Sequence, residues 1–214
     1  MIAPEGWPFV LVPACIGAVA LYFKQPIPGW FLIALGLFAL FFFRDPARQC
    51  TAPPDVACSP ADGKIIKISA SPDALHEMGL PQQVSVFMSV FNVHVNRAVL
   101  DGTLTDYAYN PGRKISAFKE KASLENEQNL SVWEGPHGRV ALKQIAGLIA
   151  RRIVFDHGPE AEVRRGDRIG LIRYGSRVDI FLPAEAQVLV KMGDHVRAGE
   201  TPLARMSSPA PGDS

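Results

Sequence analysis

The residues best suited to chemistry are Gly175 and Ser176. They stand in Arg173-Tyr-Gly-Ser-Arg-Val-Asp-Ile-Phe-Leu-Pro183, at the entrance to an alternating, strand-like segment. No side chain shields the Gly175 carbonyl, so the Ser176 hydroxyl can approach it. In a strained turn that hydroxyl can attack the preceding carbonyl and move the acyl group from nitrogen to oxygen. Elimination from the resulting ester leaves dehydroalanine, and hydrolysis of that gives a pyruvoyl cap. A Gly-Ser step is also common in turns, and an ordinary strand entry is its plainer reading when taken alone. Phe91-Asn-Val-His-Val-Asn-Arg97 sets His94, which titrates near neutral pH, inside a β-rich run. Ser59-Pro-Ala-Asp-Gly63 sets Asp62 in a turn before a strand. Singly, these read as a satisfied core histidine and a turn aspartate.

Composition narrows the field. The net charge of +1 over 214 residues gives no overall basic footprint for nucleic acid. Cys50 and Cys58 lack paired metal-ligand spacing, and no metal is expected. They read as reduced thiols, with a Cys50–Cys58 disulfide as the alternative. Cys15 lies in an apolar run, and no Gly-x-Ser-x-Gly elbow of a serine hydrolase occurs.

The elements that must position these groups fall into two kinds. From Trp7 to Phe43 the sole formal charge is Lys24. Two apolar runs, Phe9–Phe23 and Trp30–Phe43, flank Lys24-Gln-Pro-Ile-Pro-Gly29, which is expected to turn. Each run covers roughly 21–23 Å as helix, against a bilayer core of about 30 Å. A tilted pair or a re-entrant hairpin is therefore expected over residues 1–43, with 44–54 as linker. Arg44 and Arg48 favour the cytoplasmic side of the cell membrane. Residues 55–214 alternate short β-rich runs with turns. Gln83–Leu100 reads as one long strand, with Gly102–Asn110 returning from it after Asp101-Gly102. Lys114–Asn129 reads as a mobile loop with a helical piece, and Gly135-Pro-His-Gly138 as a hairpin turn. Val163-x-x-Gly166-Asp167-x-Ile169 recurs as Val190-x-x-Gly193-Asp194-x-Val196. The expected fold is mainly β: a compact antiparallel sandwich or barrel-like domain, related to biotinyl and lipoyl carrier folds, behind an N-terminal α-helical membrane hairpin.

Taken together and in order, these strings resemble the phosphatidylserine decarboxylase family, in its short bacterial and archaeal branch. The match runs from about Phe9 to Arg205. It takes in Phe-Phe-Arg-Asp-Pro46, Ser59–Gly63, Phe91–Arg97, Asn126-Glu-Gln-Asn129, Gln144-Ile-Ala-Gly-Leu-Ile-Ala-Arg-Arg152, Gly-Asp-Arg-Ile-Gly170 and Tyr-Gly-Ser-Arg177. The resemblance implies decarboxylation of phosphatidylserine to phosphatidylethanolamine and CO2, through a Schiff base on a pyruvoyl cofactor made from Ser176. It implies scission between Gly175 and Ser176 into a large and a small chain that stay together as a heterodimer. His94 and Asp62 then match the histidine and acid of a Ser–His–Asp-like set for self-cleavage. Arg151, Arg152 and Arg177 are candidates for the lipid phosphate or the departing carboxylate.

Two departures stand out. The cleavage site is Tyr-Gly-Ser-Arg where the long-branch enzymes carry Leu-Gly-Ser-Thr. Arg97 also occupies the place where the long-branch enzymes carry a second histidine, so both self-cleavage and proton transfer to the substrate fall to His94. The rival readings are a membrane-tethered carrier domain, modified at Lys191, and a non-catalytic scaffold. Homo-oligomer formation, acyl-chain preference and the choice between diacyl and ether-linked lipid stay open.

Overall fold

The computed structural model describes residues 1–112, 126–147, 152–173 and 176–207. The chain divides into two compact units, Met1–Ala47 and Arg48–Ser214.

The first unit is a pair of antiparallel helices, α1 (Trp7–Tyr22) and α2 (Pro26–Phe42). Glycines let the two backbones approach closely. A Cβ on Gly17 would lie 2.8 Å from the Gly29 carbonyl oxygen, and one on Gly36 would lie 3.1 Å from that of Val10. The expected break at Lys24–Gly29 is shorter than the sequence suggests. Pro26, Pro28 and Gly29 belong to α2, because proline is tolerated in a first turn. The reversal falls on Phe23–Gln25, with Lys24 at φ 58°. With its leading 3-10 turn, α1 forms a 19-residue segment, Pro4–Tyr22, long and apolar enough to cross a membrane. The 17 residues of α2 fall short of that length.

The second unit is mainly β, as expected. Its elements are β1 (Val56–Cys58), β2 (Gly63–Ala70), α3 (Asp73–Glu77), β3 (Gln82–Met88), β4 (Val95–Arg97), β5 (Gly102–Asn110) and β6 (Gln128–Gly135). There follow β7 (Gly138–Ala146), β8 (Ile153–Phe155), β9 (Glu162–Val163), β10 (Arg168–Ile172), β11 (Ser176–Leu182), β12 (Gln187–Val188), β13 (His195–Val196) and β14 (Pro202–Arg205). Eight strands form one antiparallel sheet in the order β13-β2-β3-β11-β7-β6-β5-β9; β4-β10-β8 and β1-β14-β12 form two smaller sheets. The main core fills one face of the large sheet with Ile65, Val84, Val86, Leu142, Val178, Ile180 and their neighbours. On the opposite face Phe181, Ala141 and Val132 pack with Leu75 and Leu80.

Several expectations need correction. Gln83–Leu100 is not one strand. It breaks at Ser89, where the Asn92 side chain accepts from the Ser89 backbone N–H (2.9 Å) and hydroxyl (2.8 Å) and closes a turn. The strand β5 pairs with β6 and β9 instead of returning along that segment. Gln128 and Asn129, read as loop, begin β6. The Gly135–Gly138 hairpin forms as expected. Cys50 and Cys58 are joined as a disulfide with Cα atoms 6.6 Å apart, and Cys15 is exposed.

Candidate functional site

Ser176 is the first residue of β11, which lies between β3 and β7 in the middle of the large sheet. Its register partners are Met88 and Ala146, and it is fully buried on the core face. Gly175, the other half of the expected cleavage step, lies outside the described residues, as does Arg151. The Ser176 hydroxyl donates to the Met88 sulfur at 3.3 Å.

His94 sits just before β4 and is fully buried. Its Nδ1 lies 2.9 Å from the Asn92 carbonyl, which can only accept. The ring proton is therefore on Nδ1, and Nε2 carries the basic lone pair. The His94 carbonyl accepts from the Ile172 N–H at 3.3 Å, which ties the histidine to the end of β10, four residues before Ser176.

Asp62 lies in the turn before β2. One of its oxygens accepts from the Ala198 N–H at 2.7 Å, and the other accepts from Arg48 at 3.1 Å. Arg48 also reaches Glu200 at 2.8 Å and holds that carboxyl below the usual carboxylate range. Both Asp62 oxygens are thus engaged away from His94. Arg48, read from sequence as a flanking membrane charge, is an inner ion-pair residue of the second unit.

The arginine candidates separate. Arg177 follows Ser176 along an extended strand, so the two side chains point to opposite faces. Its guanidinium pairs with Asp179, with one contact at 2.9 Å, and donates to Ser85 at 3.1 Å; both members of the pair are buried. Beside them, burial lowers the pKa of Lys143, a shift that the charge of Asp179 opposes. Arg152 is exposed, and its carbonyl accepts from the Arg173 N–H at 3.3 Å.

Sequence reasoning gave no role to the polar residues gathered beneath Ser176. Asn96 donates to the Met88 sulfur at 3.7 Å, Gln144 donates to Asn96 at 2.8 Å, and Asn129 donates to Gln144 at 2.9 Å. Asn126 donates to the carbonyl of Ala146, the register partner of Ser176, at 2.6 Å. Glu127 accepts from the Ile153 N–H at 3.0 Å and from Tyr109 at 3.0 Å. The available signal was amide side chains at core-facing positions of alternating strands, where apolar residues are the rule. Residues of three motifs far apart in the chain, Asn96, Asn129 and Gln144, are thus linked through Met88 to one serine. No group of His, Cys, Asp and Glu among the described residues is arranged to hold a metal.

Comparison with known proteins agrees with this convergence. The family model for phosphatidylserine decarboxylase matches residues 35–204. A phosphatidylserine decarboxylase proenzyme of Magnetococcus marinus is 41% identical over 208 residues, covering 96% of this chain and 95% of that protein. Another, from Syntrophus aciditrophicus, is 44% identical over 209 residues, covering 94% and 96%.

Proposed function

The chain belongs to the phosphatidylserine decarboxylase family, and from that premise we propose that it is a membrane-attached proenzyme. On this reading it cuts itself between Gly175 and Ser176 and then decarboxylates phosphatidylserine to phosphatidylethanolamine. The observation that carries the reading is the setting of Ser176: fully buried, central in the sheet, and linked through Met88 to Asn96, Gln144 and Asn129, which belong to three of the motifs that carry the resemblance.

Self-cleavage follows from groups in the chain. An Oγ lone pair of Ser176 attacks the Gly175 carbonyl carbon and the C–N bond breaks. His94 takes the hydroxyl proton and delivers it to the freed amine, as a histidine with a fixed Nδ1 proton can. Loss of the Ser176 α-proton expels the Gly175 carboxylate from the ester. Water then replaces nitrogen, which leaves as ammonia, and a pyruvoyl group caps the small chain. A group made from Ser176 fits the site because it needs no entry path and inherits a buried position. Once formed, it supplies an electron-withdrawing ketone for the substrate amine, the electron-sink role.

Asp62 is the acidic member of the set. To orient His94 it must take over the Nδ1–H that the Asn92 carbonyl holds, so Asp62→Asn is expected to slow processing without changing where the chain is cut. Arg152 is the candidate for the lipid phosphate among the described residues, and Arg151 joins it by sequence. The apolar helices keep the enzyme on the bilayer that holds its substrate, and Arg44 beside them favours the cytoplasmic face.

The test is CO2 release from phosphatidylserine vesicles by the intact protein and by Ser176→Ala. The unaltered chain is expected to release CO2 and the variant none. Release by Ser176→Ala at the unaltered rate overturns the reading.

A further inference from the structure

The partner of the Ser176 hydroxyl is a thioether, which self-cleavage chemistry does not itself require. Met88 Sδ accepts from Ser176 Oγ at 3.3 Å and from Asn96 Nδ2 at 3.7 Å. Behind Asn96 the Gln144 and Asn129 carboxamides continue the chain at 2.8 and 2.9 Å. All five residues are buried to within 1% of full coverage. They come from β3, β4, β6, β7 and β11, so the row is fixed by two separate sheets. A thioether is a weak acceptor. It fixes the side-chain rotamer without holding the proton strongly, so the O–H turns to His94 as attack begins, and both oxygen lone pairs stay available for bond making. A serine side chain has three staggered wells, and a buried hydroxyl without a partner has no reason to keep to one.

Resting on the self-cleavage reading, we propose that Met88 is a positioning residue for chain scission. Its thioether, oriented by the Asn96–Gln144–Asn129 row, holds Ser176 Oγ in one rotamer before attack. Met88 makes and breaks no bond. The new C–O bond, the lost C–N bond and the proton carried through His94 balance within the chain.

The test follows scission of the full-length chain by denaturing mass measurement during cell-free synthesis into lipid nanodiscs. Met88→Leu removes the acceptor at nearly constant volume. Scission is expected to slow about threefold, less than the roughly fivefold that losing one ordinary neutral hydrogen bond would give, because the thioether accepts weakly. The same substitution beside Ser176→Cys, whose thiol is a poor donor, is expected to change the rate by less than about twofold. Equal slowing in both backgrounds assigns Met88 to packing and overturns the proposal. So does unchanged or faster scission of Met88→Leu beside the native serine. Should the cysteine chain not cut, Met88→Gln, which restores an acceptor at similar length, decides. Scission faster than in Met88→Leu supports the proposal, and scission no faster overturns it. If the unaltered chain stays whole, the self-cleavage reading itself falls.

Discussion

Arg177 and Arg152 illustrate how much one position along a strand matters. Both were candidates for an oxyanion on residue type alone, and Arg177 has the advantage of touching Ser176 in sequence. That adjacency is what disqualifies it, because neighbours on a strand face opposite ways. Arg177→Ala leaves Asp179 buried without its partner and is expected to cost about 3–5 kcal/mol, read by urea unfolding in the uncut Ser176→Ala background. Arg152→Ala is expected to raise KM for phosphatidylserine severalfold while scission proceeds fully. A stability loss at Arg152 with KM unchanged would reverse these assignments. His94→Ala is expected to leave most of the chain uncut, and normal processing would remove His94 from that step. Ser176, His94 and Asp62 could be picked out as candidates from residue types in order. Their partners could not, because Arg48, Met88 and Ala198 are brought to them by pairings across the whole chain. Asp62 taken up by Arg48 and Ala198 is the plainest case.

At the scale of elements, the Gly-Asp string that recurs in the sequence forms a turn both times, and the two turns share their detail. In one, the Arg164 N–H donates to Asp167 Oδ2 at 2.9 Å; in the other, Lys191 N–H donates to Asp194 Oδ2 at 2.9 Å. Each turn also clasps one core residue through paired backbone bonds: Ala98 lies between Gly166 and Asp167, and Ile65 between Gly193 and Asp194. Gly166 and Gly193 have φ of 90° and 93°; a Cβ would meet open space at Gly166 and only the Lys64 side chain, at 4.0 Å, at Gly193. Alanine at either is therefore expected to cost about 1–2 kcal/mol by backbone strain alone, measurable as similar losses in two thermal melts. A much smaller loss at one of them would break the equivalence. Sequence reasoning failed where a local signal overrode a periodic one. Ser89 and Asn92 close a turn inside a run whose β propensity is otherwise unbroken, and Pro26 and Pro28 begin a helix where they were expected to interrupt one. Hairpin pairing was predictable at Gly135–Gly138, where the turn is short. It was not predictable for β5, whose partners lie far along the chain.

For the whole molecule, the path of residues 176–207 decides what scission would do. β11 is hydrogen-bonded on both sides in the large sheet, β13 adds to its edge beside β2, and β14 lies between β1 and β12. Asp62 with Ala198, and Arg48 with Glu200, add polar ties across the same divide. The two chains are therefore expected to co-elute under native conditions and to part only on unfolding. Because Arg48 lowers the Glu200 pKa, their pairing stabilises the fold above the unfolded carboxylate pKa and is lost as pH falls through the folded one. The stability gap between the unaltered chain and Glu200→Gln is expected to be at most about 1 kcal/mol at neutral pH and to close toward low pH. A gap that widened on acidification would contradict the pairing. The central claim, that Ser176 severs the chain on its own N-terminal side, is tested most directly by a denaturing mass spectrum of catalytically active protein. Two components of about 19 and 4 kDa are expected, by dividing the mass in proportion to length, and the smaller should begin with a pyruvoyl group in place of Ser176. A single component at 23.3 kDa in active protein, with serine intact at position 176, would contradict the account.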